Sequence, residues 1–278
     1  MSWRFLGVIL ILWLAAPGAA RGEDANSANS VVWKKLHASI FGGAPIEAAG
    51  NVVTLDTPKR AEDAAIVPIA IRSQFPQARE HYIETIWLII DNNPSPIAAV
   101  FHFTLESGRA DLETRIRIEN YTHVRAVALT NDGKLYMAVN YVKASGGCSA
   151  PAGKDALAAK ANLGKIRIRV DDAAPSARPV LAQLMISHPN DSGLAMDQVT
   201  RTYALPHFIR TVEVRYEGKP VISAEVDFSI SENPNFRFYF TPGDGGQLEA
   251  KVVDNQDLEF TTAVRLHAGR GGAASAAQ

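Results

Sequence analysis

The chain has one cysteine, Cys148, among its 278 residues, so it cannot close a disulfide on itself. That thiol is free and reactive, paired with another molecule, or buried and inert. An excess of either charge is also lacking: 28 Lys and Arg stand against 29 Asp and Glu, for a formal net charge of −1, and no basic block interrupts the balance. Nucleic acid is held largely through its phosphates, so it is not an expected partner. After the first stretch, no apolar run reaches the roughly 18 residues needed to cross a bilayer, so no membrane span is expected. There is no Gly-x-Ser-x-Gly elbow for a serine hydrolase. The histidines (His37, His81, His102, His123, His188, His207 and His267) include no pair at the spacing of a metal-binding helix or finger. No metal, cofactor or catalytic residue is expected.

The first stretch reads as a secretory signal over residues 1–22. Arg4 supplies a positive start, an apolar core covers 5–14, and Pro17 and small residues follow it. Neither a twin arginine nor a lipid-anchor cysteine accompanies it, so the general export route and a periplasmic location are expected.

In the mature part, Trp33, Leu36, His37 and Ile40 recur at helical spacing, which predicts one short helix over 31–41. Beyond Gly42 and Gly43 the period changes to two. Apolar or alternating runs at 51–55, 66–71, 83–90, 98–105, 112–118, 123–129 and 134–142 are separated by turn residues, with Asn131-Asp132-Gly133 as a hairpin signal. Asp91-Asn92-Asn93-Pro94 reads as a turn. Regular patterning stops at 144–163, where a small-residue loop precedes an alanine-rich stretch. A second series follows at 166–170, 180–187, 208–216, 221–228, 236–240, 248–253 and 258–266, with Val212, Val214 and Tyr216 on one face and Glu213 and Arg215 on the other. The expected fold is all-β: two sandwiches over 31–143 and 164–268, a cysteine loop and linker over 144–163, and a disordered tail over 269–278.

Cys148 lies in Gly146-Gly147-Cys148-Ser149-Ala150-Pro151, with no large apolar neighbour. Glycine, serine and proline mark exposed backbone. The expectation is a mobile, solvent-facing thiol with an ordinary pKa of about 8.5, a flexible arm of Gly146, Gly147 and Ser149, and a Cys148→Ser variant that folds nearly as before. Lys143 and Lys154 are candidate cations near the sulfur. A near match to a phosphate-binding loop fails, because its spacing is one residue too long and Asp155 stands where a hydroxyl is needed.

Several segments resemble the SoxY and SoxZ subunits of the sulfur-oxidation carrier, joined in one polypeptide. The SoxY-like ones are Ile66-Val-Pro-Ile, Ile89-Ile-Asp-Asn-Asn-Pro-Ser-Pro-Ile, Thr114-Arg-Ile-Arg-Ile, Val124-Arg-Ala-Val and Gly146-Gly-Cys. The SoxZ-like ones are Leu184-Met-Ile-Ser-His-Pro with Ser192-Gly193, Pro206-His-Phe-Ile, Glu232-Asn-Pro-Asn and Val252-Val-Asp-Asn. The resemblance implies two immunoglobulin-like sandwiches and a non-enzymatic carrier that holds sulfur-containing intermediates on Cys148 for periplasmic redox enzymes, as in thiosulfate oxidation. A SoxY tail ends Gly-Gly-Cys-Gly-Gly, whereas here the cysteine is internal and Ser149 and Ala150 follow it. The fused Gly-Gly-Cys-Ser-Ala-Pro form resembles the branch associated with quinoprotein dehydrogenases. An alternative reading is a non-covalent accessory that docks such a dehydrogenase or its cytochrome. A third is an immunoglobulin-like binding module with an incidental cysteine.

Overall fold

The computed structural model describes residues 30–150, 161–171, 178–196 and 201–266. The expected signal segment, residues 151–160 of the linker, and the tail lie outside these.

The chain opens with α1 (Val31–Phe41). Ser30 caps it by accepting from the Trp33 N–H, and Gly42 ends it at φ +60°, a left-handed conformation that glycine adopts at little cost. Trp33 is buried with Leu36, Ile40 and Phe41 against Ile89, Val127 and Leu135. The Arg125 guanidinium lies 4.1 Å from the Trp33 ring centre and pairs with buried Asp91 (Nε to Oδ1 2.8 Å, Nη2 to Oδ2 2.7 Å). The helix is therefore seated by apolar burial and by a desolvated ion pair satisfied on both sides.

The first half continues with β1 (Ile46–Ala48), β2 (Val53–Asp56), β3 (Val67–Ser73), β4 (Ile83–Ile90), β5 (Ile97–Phe103), β6 (Leu112–Ile116), β7 (Thr122–Thr130) and β8 (Leu135–Val142). The second half supplies β9 (Ile166–Val170), β10 (Val180–Ile186), β11 (Ile209–Tyr216), β12 (Lys219–Val226), β13 (Asn235–Phe240), β14 (Gly246–Asp254) and β15 (Glu259–Leu266). These match the predicted runs closely. Only the three-residue β1, which pairs in parallel with β8, lacked a sequence signal.

Each half is a two-layer sandwich, and the halves join edge to edge in both layers. One sheet has nine strands in the order β1-β8-β7-β4-β5-β12-β11-β14-β15, and the other six in the order β2-β3-β6-β13-β10-β9. The joints are β5 with β12 (Phe101↔Ala224) and β6 with β13 (Leu112↔Phe238). Pairing the edges leaves no open ladder at the junction for another chain to add to. Alternation along β11 buries Val212, Val214 and Tyr216 and exposes Glu213 and Arg215, as the period of two requires. One apolar core runs through both halves, with Phe101 meeting Phe236 edge-on at 6.2 Å between ring centres.

Candidate functional site

The backbone after β6 provides the floor of the site. Asn93, buried in the turn after β4, donates to the Arg117 carbonyl (2.8 Å) and accepts from the Glu119 N–H (2.9 Å). The Arg117 N–H donates to the Ser229 carbonyl of the second half at 2.7 Å. Residues 117–119 are thus fixed from both sides of the junction.

The cysteine loop after β8 lies along this floor. Gly146 N–H donates to the Glu119 carbonyl (2.8 Å) and Gly147 N–H to the Ile118 carbonyl (2.9 Å). The Glu119 carboxylate accepts from Cys148 N–H (2.9 Å), Ser149 N–H (3.1 Å) and the Ser149 hydroxyl (2.9 Å). The second half closes the other side, where the Ser192 hydroxyl donates to the Cys148 carbonyl. Arg117 reaches from beneath to the Gly147, Pro189 and Asn190 carbonyls at 3.3–3.4 Å, and its Nε has no hydrogen-bond partner.

Cys148 is 0 % exposed, which corrects the expectation of a solvent-facing thiol. The groups that hold it are remote in sequence: Glu119 from the first half accepts from its N–H, and Ser192 from the second donates to its carbonyl. The two glycines have separate local roles in the closed loop. Gly146 has φ +81°, which glycine tolerates. Gly147 is needed for close approach, since a Cβ there would lie 2.0 Å from the Ala64 carbonyl oxygen. Ser149, expected as part of a free arm, is exposed but tied to Glu119.

Burial pushes the Cys148 thiol up to about 12; the Glu119 charge adds to the rise, Arg117 partly offsets it and Asp227 adds again. The cation acting on the sulfur is Arg117, which sequence reading placed only within a strand motif. Lys154 lies outside the described residues. Burial lowers the pKa of Arg117, while Glu232, Cys148, Asp191 and Asp63 oppose that fall. Burial raises the pKa of both Asp191 and Asp227. In this closed arrangement the sulfur is a neutral thiol without solvent access, and so is a poor nucleophile.

Behind the Ser192 side, His188, His207 and Asp254 bring their polar atoms within 4.8 Å of one another. His188 Nδ1 accepts from the Asn190 N–H (3.0 Å), which puts the neutral ring's proton on Nε2, facing Asp254 Oδ2 at 3.5 Å. In that tautomer the nitrogen has no lone pair for a cation and makes no hydrogen bond, so the brace in this cluster is the contact between His207 and Asp254. His207 Nε2 lies 2.7 Å from the same oxygen. Burial, then the neighbouring His207, lower the His188 pKa to about 4, against the pull of Asp254. Burial alone would raise the Asp254 pKa, but the His207 contact and the Leu258 and Gln256 N–H groups bring it below the usual value.

The segments behind the resemblance converge here, bringing Asn93, Arg117, Gly146–Cys148, His188, Ser192, His207 and Asp254 to one end of the junction. Reading along the sequence did not single out Glu119, Arg117, Asn93 or Ser192 as site residues. Arg117 and Ser192 were nevertheless inside quoted motifs, and Asn93 inside a recognised turn.

The arrangement is that of a two-half β protein with one cysteine seated between the halves. Residues 37–148 match the family described as sulfur oxidation protein SoxY, and residues 167–265 the family described as sulphur oxidation protein SoxZ. The chain belongs to the fused SoxYZ-type sulfur-oxidation carriers, which are carrier proteins rather than enzymes. Among solved structures, it is similar to the sulfur carrier protein SoxY from Chlorobium limicola f thiosulfatophilum, with 27 % identity, 44 % of this chain and 96 % of that chain covered, and a TM-score of 0.35. It is also similar to a superoxide reductase (neelaredoxin) from Ignicoccus hospitalis, with 13 % identity, 43 % and 90 % covered, and a TM-score of 0.31. No curated protein matches the chain.

Proposed function

We propose that Cys148 holds sulfur-containing intermediates covalently and presents them to periplasmic partner enzymes, in a system linked to a quinoprotein dehydrogenase and its cytochrome. The observation that carries this is the placement of Cys148, the chain's one thiol, where the motif-bearing segments of both halves meet. The leader-like pattern of residues 1–22 supports the location, and the internal Cys148-Ser149-Ala150-Pro151 form supports the quinoprotein link. Joining a thiol to a second reduced sulfur releases two electrons and the thiol's proton, so loading of that kind calls for a redox partner. Attack of the thiolate on an existing S–S bond needs no oxidant. Either route needs the sulfur exposed, so the loop must leave its seat during the cycle.

Intact-mass spectrometry of protein taken from periplasmic extracts tests the reading. A sulfur adduct lost in Cys148→Ser is the expected result, and its absence under every growth condition counts against the carrier. The burial of the thiol favours a second reading, non-covalent docking to a dehydrogenase or its cytochrome. Co-purification of such a partner that survives Cys148→Ala supports docking, and dependence on the thiol supports the carrier.

A further inference from the structure

One side chain makes more of the hydrogen bonds around Cys148 than any other. Glu119 comes from the segment after β6, and its carboxylate accepts both N–H groups that flank the Cys148 side chain, together with the Ser149 hydroxyl. Hydrogen bonds to an ionised acceptor are roughly twice as strong as neutral ones, so this one residue dominates the polar hold on the loop tip. The remaining contacts are the two backbone bonds of Gly146 and Gly147, the long Arg117 reach and the Ser192 hydroxyl. Ala150 follows at once, and 151 begins the linker, so the loop is gripped just before it runs on toward the second half.

The same geometry separates an empty thiol from a loaded one. The sulfur has no solvent-facing surface, and the nearest charges acting on it are Glu119, Arg117 and Asp227. Any group bonded to the sulfur adds at least one heavy atom where none is accommodated, and a negatively charged group is also set near two carboxylates.

We propose that Glu119 is the positioning residue of the carrier site: its carboxylate latches the loop shut over an empty Cys148, and the loop stays unlatched while Cys148 carries a group. The carboxylate keeps the resting thiol out of reach of stray oxidants and electrophiles, and loading removes the closed state until the cargo is discharged. The purpose of the latch rests on the carrier reading. Its mechanics do not, because synthetic thiol reagents test them whether or not the cell loads Cys148.

The experiment measures the labelling rate of Cys148 by N-ethylmaleimide in the wild type, Glu119→Ala and Glu119→Gln, beside thermal unfolding and amide hydrogen exchange. Removing the latch in Glu119→Ala is expected to speed labelling at least tenfold and to strip protection from the Cys148 and Ser149 amides, with the sheets unchanged. Glu119→Gln keeps an acceptor without the charge, so its amide protection should fall between the two. In a second arm, sulfonatoethyl methanethiosulfonate is attacked by the thiolate, which forms a disulfide and expels methanesulfinate with no net redox change. That adduct should leave residues 146–149 as unprotected as in Glu119→Ala. Labelling of Glu119→Ala within twofold of the wild type overturns the latch, as does acceleration matched by an equal loss of protection across both sheets. An adduct that keeps wild-type protection at 146–149 overturns the claim that loading holds the loop open. Failure to find a native adduct on Cys148 sinks the carrier reading and leaves these results standing.

Discussion

Where β5 pairs with β12 and β6 with β13, the halves are joined by regular ladders and by apolar side chains such as Phe101 against Phe236. Where the cysteine loop and Arg117 meet residues 189–192, they are joined by side-chain hydrogen bonds over irregular backbone. The first contact buries surface that must not separate. The second is built of discrete polar bonds that exchange for water at a net cost of about 1 kcal/mol each. The halves can therefore stay joined while the loop opens, which a carrier needs if its cargo is to move and its scaffold is not.

The largest test of this contrast is Phe101→Ala, which removes a buried aromatic ring at the welded joint. It should cost about 3–5 kcal/mol in urea unfolding and lower both halves in one transition. If the second half kept its own unchanged transition, the joint would be a contact between independent domains and the comparison would fail.

A second test addresses the brace behind the seat. The folded chain keeps His188 neutral down to about pH 4, whereas an unfolded histidine takes up its proton near 6.5. Stability from this group is therefore whole above pH 6.5 and falls as the pH drops from 6.5 toward 4, by up to about 3 kcal/mol. Asp254, lowered in the fold, adds a loss of the same sign below its usual value of 3.8. Urea unfolding at pH 7, 5.5 and 4.5 measures the slope. Asp191 and Asp227, raised in the fold, act with the opposite sign, so the slope is read as the difference from His188→Gln, and a flat difference would mean that His188 is already solvated.

The contrast also explains what could be read in advance. Alternation along β11 and the helical spacing of Trp33, Leu36 and Ile40 are local patterns, and they marked the elements nearly to the residue. Edge pairing of β5 with β12 joins residues more than a hundred positions apart and leaves no periodic trace. The cysteine's surroundings failed for the same reason. Small neighbours in sequence suggested exposure, but the loop lies against Ala64 and Ile118 at Gly147 and is bonded to Glu119 and Ser192 at Cys148, all brought there by the fold. Gly147 was read as part of a flexible arm because glycine serves both mobility and close approach, and the 2.0 Å clash at Ala64 adds the second use, which no local pattern signals.

That clash makes Gly147→Ala the third test. The obstructing atom is backbone, so it cannot swing aside, and the loop must leave its seat or the floor must shift. The expected outcome is a loss of about 1–3 kcal/mol, capped by the cost of releasing the loop, together with faster maleimide labelling of Cys148. Unchanged labelling would show that the floor yields instead, and that the seat is as firm as the sheet joint.

The smallest expected effect concerns Cys148 itself. A thiol on an open loop could be replaced with almost no change in folding, but a sulfur with no exposure cannot. Cys148→Ala should cost about 1 kcal/mol at pH 7, for the apolar atom removed and the gap left behind. Cys148→Ser should cost at least as much, because it also buries a hydroxyl. The difference between wild type and Cys148→Ala should then shrink with alkali. The fold holds the thiol neutral up to about 12, against 9.0 for a thiol in water, so above pH 9 the unfolded wild type releases a proton that the folded chain retains. Stability from this group is therefore present below pH 9 and lost as the pH rises from 9 toward 12, by about 1.4 kcal/mol at pH 10. Every other titrating group is common to both proteins, so the difference reads the sulfur together with Arg117, whose own pKa burial lowers. At pH 10 the wild-type advantage should vanish. A gap of the same size at pH 7 and pH 10 would mean that the thiol titrates as freely in the folded chain as in the unfolded one, and the closed seat would have to be given up.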